Sequence, residues 1–215
     1  MKQQNPLDGL VRFCEGEWAA ALGNRLTAHT GPACEGAGIN PAALPERLGR
    51  EVYAILFTAV IEDLMTRTDG PDGQNLTDAY LKRHGWKLGR GARDHMTAVR
   101  DSKMALYEIT ATRPDESLQL RDIVADDDKI WLDHPTLAHA LTPGCLLGIR
   151  IVTRGGVQGI TGTVLPFDDG KQEEAAATLR DIAPADLAAS ISNFWLKKTF
   201  EEDQGQALPN SSDEG

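Results

Sequence analysis

The spacing of apolar residues divides the chain into a helical first third, a strand-rich centre and a helical end. From Asn5 and Pro6 to Leu26, apolar residues recur at intervals of three and four positions, which is typical of one amphipathic helix. Asn and Pro are favourable residues for its cap and first turn. The segment 29–41 is rich in glycine and proline, so we expect it to end this helix.

A second helix is predicted over residues 45–67 from the same spacing. Its inner face should consist of Leu48, Val52, Ile55, Leu56, Ala59, Val60 and Leu64. Its solvent face should carry Glu46, Arg50, Glu51, Glu62 and Asp63. The turn-rich segment 68–75 should end it, and we expect the two long helices to pack antiparallel.

The centre of the chain changes to short apolar runs separated by turn residues. Residues 76–103 first predict two short helices around a loop that contains several glycines. Five runs with partial alternation then predict strands, at 105–113, 116–124, 129–134, 145–154 and 157–167. Gly155 and Gly156 between the last two runs indicate a two-residue hairpin turn.

Helical spacing returns over 171–200, and the last fifteen residues carry five acids and no base, which is typical of a disordered tail. The predicted fold class is therefore α+β, with N-terminal antiparallel helices, a small antiparallel β-sheet or barrel of about five strands, and a C-terminal helix. The expected organisation is a helical part (1–75), a basic helix–loop–helix connector (76–103), a small β-domain (104–168), C-terminal helices (169–200) and an acidic tail (201–215).

Composition and charge narrow the functional classes. The chain has 41% hydrophobic residues and a formal charge of −10, so general affinity for nucleic acid or anionic membrane is disfavoured. The N-terminus lacks the pattern of a signal peptide, and the longest apolar segment, 52–61, is half of what a bilayer requires. We expect a cytoplasmic protein with no membrane contact. Cys14, Cys34 and Cys145 form no zinc or redox spacing and should be buried, reduced thiols.

An acidic cluster between the second and third predicted strands is the first candidate for chemistry. Three consecutive aspartates are followed by two histidines, and the candidate metal ligands are Asp126, Asp128, Asp133, His134 and His139. The calcium-loop pattern of alternating acids, a glycine and a final glutamate is absent from this stretch of sequence. Aspartates also suit a solvated turn between strands, so we favour a turn and keep a metal-dependent hydrolase as an alternative.

A basic segment is the second candidate. Residues 82–103 contain seven basic and two acidic residues in a chain that is acidic as a whole. With an interleaved tryptophan they could contact nucleic acid, through Lys82, Arg83, Trp86, Lys87, Arg90, Arg93, Arg100 and Lys103. The alternative is that they pair with acidic groups of the protein itself or of a protein partner.

Four pieces in the second half resemble, in order, a module of uncharacterised bacterial proteins that often carry a SEC-C zinc motif. The pieces are AVRDSKMALYEI (98–109), LQLRDIVADD (118–127), PGCLLGIRIV (143–152) and GITGTVLPF (159–167). The resemblance covers about residues 80–167, and Leu120, Arg121 and Asp122 are its most recognisable positions. No cysteine cluster follows, and Cys145 stands where the pattern has an aspartate, so the resemblance implies a small β-domain without a zinc site.

Neither a nucleophile elbow nor a glycine-rich phosphate loop occurs in the sequence, and no cofactor is predicted. The pattern favours a non-enzymatic accessory or protein-interaction role, with another protein as the partner. Nucleic-acid binding and metal-dependent hydrolysis remain the alternatives.

Overall fold

The computed structural model describes residues 6–125, 129–167 and 170–206. Within these residues the helices are α1 (Pro6–Cys14), α2 (Ala19–Ala37), α3 (Leu44–Leu48), α4 (Arg50–Thr66), α5 (Leu76–His84), α6 (Arg90–Arg100), α7 (Pro135–Ala140), α8 (Gln172–Leu179) and α9 (Leu187–Gln206). The strands are β1 (Met104–Thr112), β2 (Ser117–Asp122), β3 (Ile130–Asp133), β4 (Leu146–Arg154) and β5 (Val157–Phe167). The α+β prediction is confirmed.

The five strands form one antiparallel sheet in the order β3-β2-β1-β4-β5. The sheet is open, so the barrel alternative is wrong. Strands β1, β2 and β3 follow one another as a meander. The next strand, β4, pairs with the edge of β1 that faces away from β2, and there Leu106 lies opposite Gly148. The β4–β5 hairpin turns at Gly155 and Gly156, whose φ angles of 56° and 82° confirm the predicted tight turn.

The sheet has apolar residues on both faces. On one face Leu106, Leu146 and Leu165 pack into a core with helices from both ends of the chain, including Leu56 and Leu196. The helix α9 lies close to this face, since a Cβ on Gly148 would be 2.7 Å from Ile191 Cγ2. The opposite face carries a smaller cluster, and α7 contributes residues packed against it. The helical and strand segments therefore share a core.

The first helical region differs from the prediction in two places. A turn at residues 15–18 separates α1 from α2, and the buried Trp18 precedes α2. The helix α2 then continues to Ala37, through the proline that should have ended it. Pro32 has no N–H to donate to Ala28 O, and its ring crowds that carbonyl group.

Asn193 of α9 compensates for Pro32 inside α2. Its Nδ2 donates to Ala28 O at 2.7 Å, and its Oδ1 accepts from Ala33 N at 3.1 Å. One amide side chain therefore satisfies both backbone groups next to Pro32, which explains why the helix survives a residue that local propensity disfavours.

The second helical region is broken only at Gly49, with φ 77°, between α3 and α4. Leu56 is fully buried, as predicted, but Glu62 and Asp63 were wrongly placed on the solvent face. The helix α4 is apolar on most of its surface and is enclosed by neighbours, so it has little solvent face near its C-terminal end.

At the end of the chain α9 continues to Gln206, past the boundary predicted at residue 200, and residues 207–215 lie outside the described residues. None of the described helices combines the length and apolar character that crossing a bilayer requires. The thiols of Cys14 and Cys34 are buried and free, whereas Cys145 is half-buried.

Candidate functional site: a basic aromatic face and a buried charged layer

The acidic cluster gives no metal site among the described residues. Asp126, Asp127 and Asp128 lie outside them. His134 caps α7, because its Nδ1 accepts a hydrogen bond from Leu137 N at 3.2 Å. The exposed His139 donates from Nδ1 to Pro135 O at 2.8 Å. Across the described parts of the chain, no three His, Cys, Asp or Glu side chains are grouped to hold a metal ion, and Asp133 is exposed.

Arg121 and Asp122, the recognisable positions of the resemblance, have structural contacts. Arg121 donates from Nε and Nη2 to Glu108 on β1, at 3.1 and 2.6 Å. Asp122 is buried and accepts from the backbone N–H groups of Val124 and Ala125. Asp122 thus joins β2 to the following turn, while Arg121 joins β2 to β1.

Most arginines of the basic segment are paired within the protein. Arg100 donates to Asp78 at 2.5 Å and to Asp101 at 2.7 Å, and Arg90 lies 3.5 Å from Asp94.

Arg83 forms an ion pair with Glu17, and Arg93 donates to the backbone oxygens of Gly85 and Leu88. Arg93 thereby fixes the turn between α5 and α6. Within the described residues, the lysines at 82, 87 and 103 form no ion pair, so these three cations remain available.

Trp86 is the large apolar residue of this segment that is most exposed to solvent, at 77%. It lies in the 3₁₀ turn 85–87 between α5 and α6, and its indole N–H donates to Arg83 O at 3.2 Å. Lys87 Nζ lies 5.1 Å from the ring centroid, within the range of a cation–π contact.

A hollow of about 600 Å³ adjoins this turn, with Arg83 and Lys87 on its wall. Phe13 packs edge-on against Tyr80 and His84, with ring centroids 5.5 and 5.6 Å away. We call the Trp86 face the surface formed by Arg12, Phe13, Arg83, His84, Trp86 and Lys87. Its chemistry combines exposed aromatic area with positive charge.

A second polar assembly, which was not predicted from the sequence, lies between the helices and the sheet. We call it the buried charged layer, and it consists of Arg25, His29, Glu62, Asp63, Arg150 and Ser192.

His29 joins three helices within this layer. Its Nε2 lies 3.1 Å from Asp63 Oδ2, and its Nδ1 lies 2.9 Å from Ser192 Oγ. A carboxylate only accepts, so Nε2 carries the hydrogen of the first contact. The order of contacts matches a Ser-His-Asp triad, but Ser192 and His29 are fully buried and no substrate can reach the hydroxyl. The arrangement therefore links α2, α4 and α9.

The two adjacent carboxylates of α4 have opposite protonation tendencies. Burial raises the pKa of Glu62, although Thr161 Oγ1 donates to it at 2.7 Å and Gly162 N at 3.2 Å. Burial alone would also raise the pKa of Asp63, but the hydrogen bond from His29 and nearby positive charges hold that pKa below its ordinary value. Asp63 is thus the ionised partner in the layer.

Arg150 projects from the middle of β4 and is only 2% exposed. Its Nη1 donates to Ser102 O at 2.9 Å, while its Nε lies 3.9 Å from Glu62 Oε2 and has no hydrogen-bond partner among the described residues. Arg150 and Asp63 line a cleft of about 290 Å³, which we call the Arg150 pocket. Its remaining lining residues are Thr66, Arg67, Thr68, Asp69, Ser102, Lys103, Met104, Pro184, Ala185 and Ala188.

The sequence contained a usable sign of the buried layer. Glu62 and Asp63 interrupt a helix that is otherwise apolar on several faces, and Arg150 interrupts an apolar run in a central strand. A helix or strand enclosed on all sides has no solvent side for such residues, so they indicate buried ionic contacts. His29 and Ser192 had no comparable sign, because their partners are distant in sequence.

Comparison with known proteins gives a family but no described activity. A family model described as "Family of unknown function (DUF7986)" matches residues 59–184, a range that includes Glu62, Trp86 and Arg150. Neither the curated proteins nor the solved structures contain a match to this chain. The resemblance to proteins with a SEC-C motif is untested and stays a prediction. Because the model matches more than half of the chain, the protein belongs to the family of unknown function DUF7986.

Proposed function

We propose that the protein is a non-enzymatic interaction protein that binds an acidic segment of a partner protein on the Trp86 face. The observation that carries the proposal is the exposure of Trp86, at 77%, whereas Trp18 and Trp195 are buried. Burying a tryptophan removes a large apolar area from water, and tryptophan is among the residues that most often dominate interface energies.

The charge around Trp86 determines the kind of partner. Lys87 forms no ion pair among the described residues, and Lys87 and Arg12 both line the hollow. A chain with a net charge of −10 therefore presents a locally positive surface beside an exposed ring. Complementary charge favours a partner segment with acidic residues next to an apolar one.

A protein segment fits this face better than nucleic acid does. Glu17 lies on the wall of the hollow and pairs with Arg83, so Arg83 is not a free cation for a phosphate. Arg90 and Arg100 are likewise paired with aspartates. The basic segment therefore has fewer unpaired arginine and lysine side chains than its sequence suggested. Neutralising each phosphate of a nucleic acid requires one such side chain.

The test uses fluorescence anisotropy with a labelled peptide of alternating glutamate and leucine. A peptide of alternating lysine and leucine and a single-stranded oligothymidine serve as comparison probes. The variants are Trp86→Ala and Lys87→Glu. The matched controls are Val157→Ala, at an exposed apolar residue of β5, and Lys197→Glu, at an exposed lysine of α9.

We expect the acidic peptide to bind. Trp86→Ala should weaken this binding by roughly tenfold or more, as the loss of a central interface residue does. Lys87→Glu should also weaken binding of the acidic peptide, most strongly at low salt. Both control variants should bind the peptide as the unchanged protein does. Binding of the oligonucleotide in place of the acidic peptide would transfer the site to nucleic acid. Equal affinity of the Trp86→Ala variant would remove this face from the binding site.

A further inference from the structure

The Arg150 pocket lies at the meeting point of several elements. Its walls come from the C-terminal end of α4, the following residues to Asp69, the junction of α6 with β1, the middle of β4 and the start of α9. It shares no lining residue with the Trp86 face. A cleft of about 290 Å³ is large enough for a small organic molecule.

The charges on the walls leave one positive charge in excess. Arg67, Lys103 and Arg150 line the pocket together with Asp63 and Asp69. Both aspartates already have protein partners. Asp63 lies 3.1 Å from His29 and 3.5 Å from Arg25.

Asp69 accepts from Arg67 Nε at 2.6 Å and lies 3.5 Å from Arg25. Lys103, by contrast, has no ion-pair partner among the described residues. Lys103 is thus the unpaired cation of the walls, and the ion-pair contact of Arg150 is its 3.9 Å approach to Glu62.

Arg150 has hydrogen-bond donors without acceptors among the described residues. A guanidinium has five N–H donors, and within the described residues Arg150 uses only Nη1 for hydrogen bonds, to the backbone and hydroxyl oxygens of Ser102. A charge this deeply buried is costly unless it is paired and hydrogen-bonded. Its approach of 3.9 Å to Glu62 is outside hydrogen-bond distance.

Residues at and just before the start of α9 also line the pocket. Pro184, Ala185 and Ala188 line the pocket, and the first backbone N–H groups of a helix have no partner within that helix. Arg67 holds this end in place, because its Nη1 donates to Ala185 O at 2.5 Å.

We infer that the Arg150 pocket binds a small monocarboxylic acid, with the carboxylate between Arg150 and Lys103. The planar fork of an arginine matches two carboxylate oxygens, and one added negative charge balances the excess of the walls. A phosphate dianion would leave a negative excess beside Asp63 and Asp69. Binding would also give the guanidinium of Arg150 a charged partner at hydrogen-bond distance, which Glu62 at 3.9 Å does not provide.

An NMR titration of the full chain with acetate, lactate and inorganic phosphate tests this, at constant ionic strength. The readout is the Arg150 Nε–H signal, assigned by its loss in Arg150→Lys. Because a buried change can disturb folding, Lys103→Gln is the second variant, at an exposed position. Lys197→Gln, at a lysine whose side chain is 62% exposed on α9, is the control.

The inference expects a saturable shift with acetate or lactate, at a Kd that Lys103→Gln raises by roughly tenfold and Lys197→Gln leaves unchanged. Tighter binding of phosphate than of either carboxylate would overturn the assignment of the ligand. Absence of a saturable shift, or an equal Kd in Lys103→Gln, would overturn the site. The outcome is independent of peptide binding at the Trp86 face.

Discussion

The protein has two groups of charged residues that differ in where they find partners. In residues 82–103 the partners are solvent-exposed. Some are adjacent in sequence, as Asp101 is to Arg100, and others are distant, as Glu17 is from Arg83. In the buried charged layer the partners come from distant segments, as when Arg150 of β4 approaches Glu62 of α4. The first group is conspicuous in the sequence, whereas the second consists of single charges in apolar surroundings.

The contrast shows that charge density along a sequence does not measure what a charge contributes to the fold. Exposed pairs gain little because water and salt screen them. Buried charges lose their hydration, so each depends strongly on its remaining partners. Isolated charges inside apolar runs therefore carry more information about the core than a basic cluster does.

Asp63→Ala should have the largest effect on stability. It removes the carboxylate facing His29 and Arg25 and leaves those groups buried without it, which typically costs about 3–5 kcal/mol. The control, Asp101→Ala, removes an exposed partner of Arg100 and should cost at most about 1 kcal/mol. Urea unfolding followed by circular dichroism measures both, and equal losses would contradict the contrast between the two groups.

Leu56→Ala provides an apolar reference in the same helix. Leu56 is fully buried in the core between the helices and the sheet, so truncation should cost about 2–5 kcal/mol. Val157→Ala, at a residue that is 72% exposed, should change the free energy of unfolding by no more than about 0.5 kcal/mol. A loss for Leu56→Ala near the Val157→Ala value would mean that α4 is not central to the core.

Asn193→Leu should cost roughly 1–3 kcal/mol, because it leaves Ala28 O and Ala33 N without their partner. The proline at position 32 gives this prediction a specific control. Pro32→Ala restores the N–H that α2 lacks, so the cost of Asn193→Leu should be smaller in that background. Equal costs in the two backgrounds of this double-mutant cycle would show that Asn193 does not compensate for Pro32.

The last prediction concerns how the stability contributed by the two adjacent carboxylates, Glu62 and Asp63, depends on pH. A raised pKa means that Glu62 contributes full stability below its unfolded value of 4.5 and loses it as pH rises through the folded pKa. Glu62→Gln should therefore be more stable than the unchanged protein at pH 7, and the gain should vanish below pH 4.5.

The pH dependence of stability expected from Asp63 is opposite to that expected from Glu62. Its lowered pKa means that its contribution is present above 3.8 and is lost as pH falls through the folded pKa. Asp63→Asn should be less stable at pH 7, with a deficit that shrinks below 3.8. Urea unfolding across this pH range distinguishes the Glu62→Gln and Asp63→Asn variants. A lower free energy of unfolding for Glu62→Gln at pH 7 would show that the contact of Glu62 with Arg150 outweighs the desolvation of Glu62.

Local sequence patterns predicted the strands well, because alternation and turn residues act over a few positions. All five predicted runs overlap the observed strands, and Gly155–Gly156 forms the expected turn. The order of the strands was less accessible, since the pairing of β4 with β1 depends on contacts across the sheet. Likewise, Pro32 is tolerated only because Asn193 lies beside it in space.

The candidate sites were predictable to different degrees. The basic segment and its tryptophan could be found from the sequence, but their exposure and ion pairs could not. The Arg150 pocket could not be found, because its walls come from segments between residues 63 and 188 that only the fold brings together. Side-chain burial decides both cases, and local composition does not specify it.

The most direct test of the proposed function follows the indole N–H signals of the four tryptophans during titration with the glutamate–leucine peptide. The proposed binding face predicts that the Trp86 signal shifts and saturates, while the signals of Trp18 and Trp195, which are buried, stay in place. A Trp86 signal that remains unchanged while the peptide binds would contradict the proposed binding face.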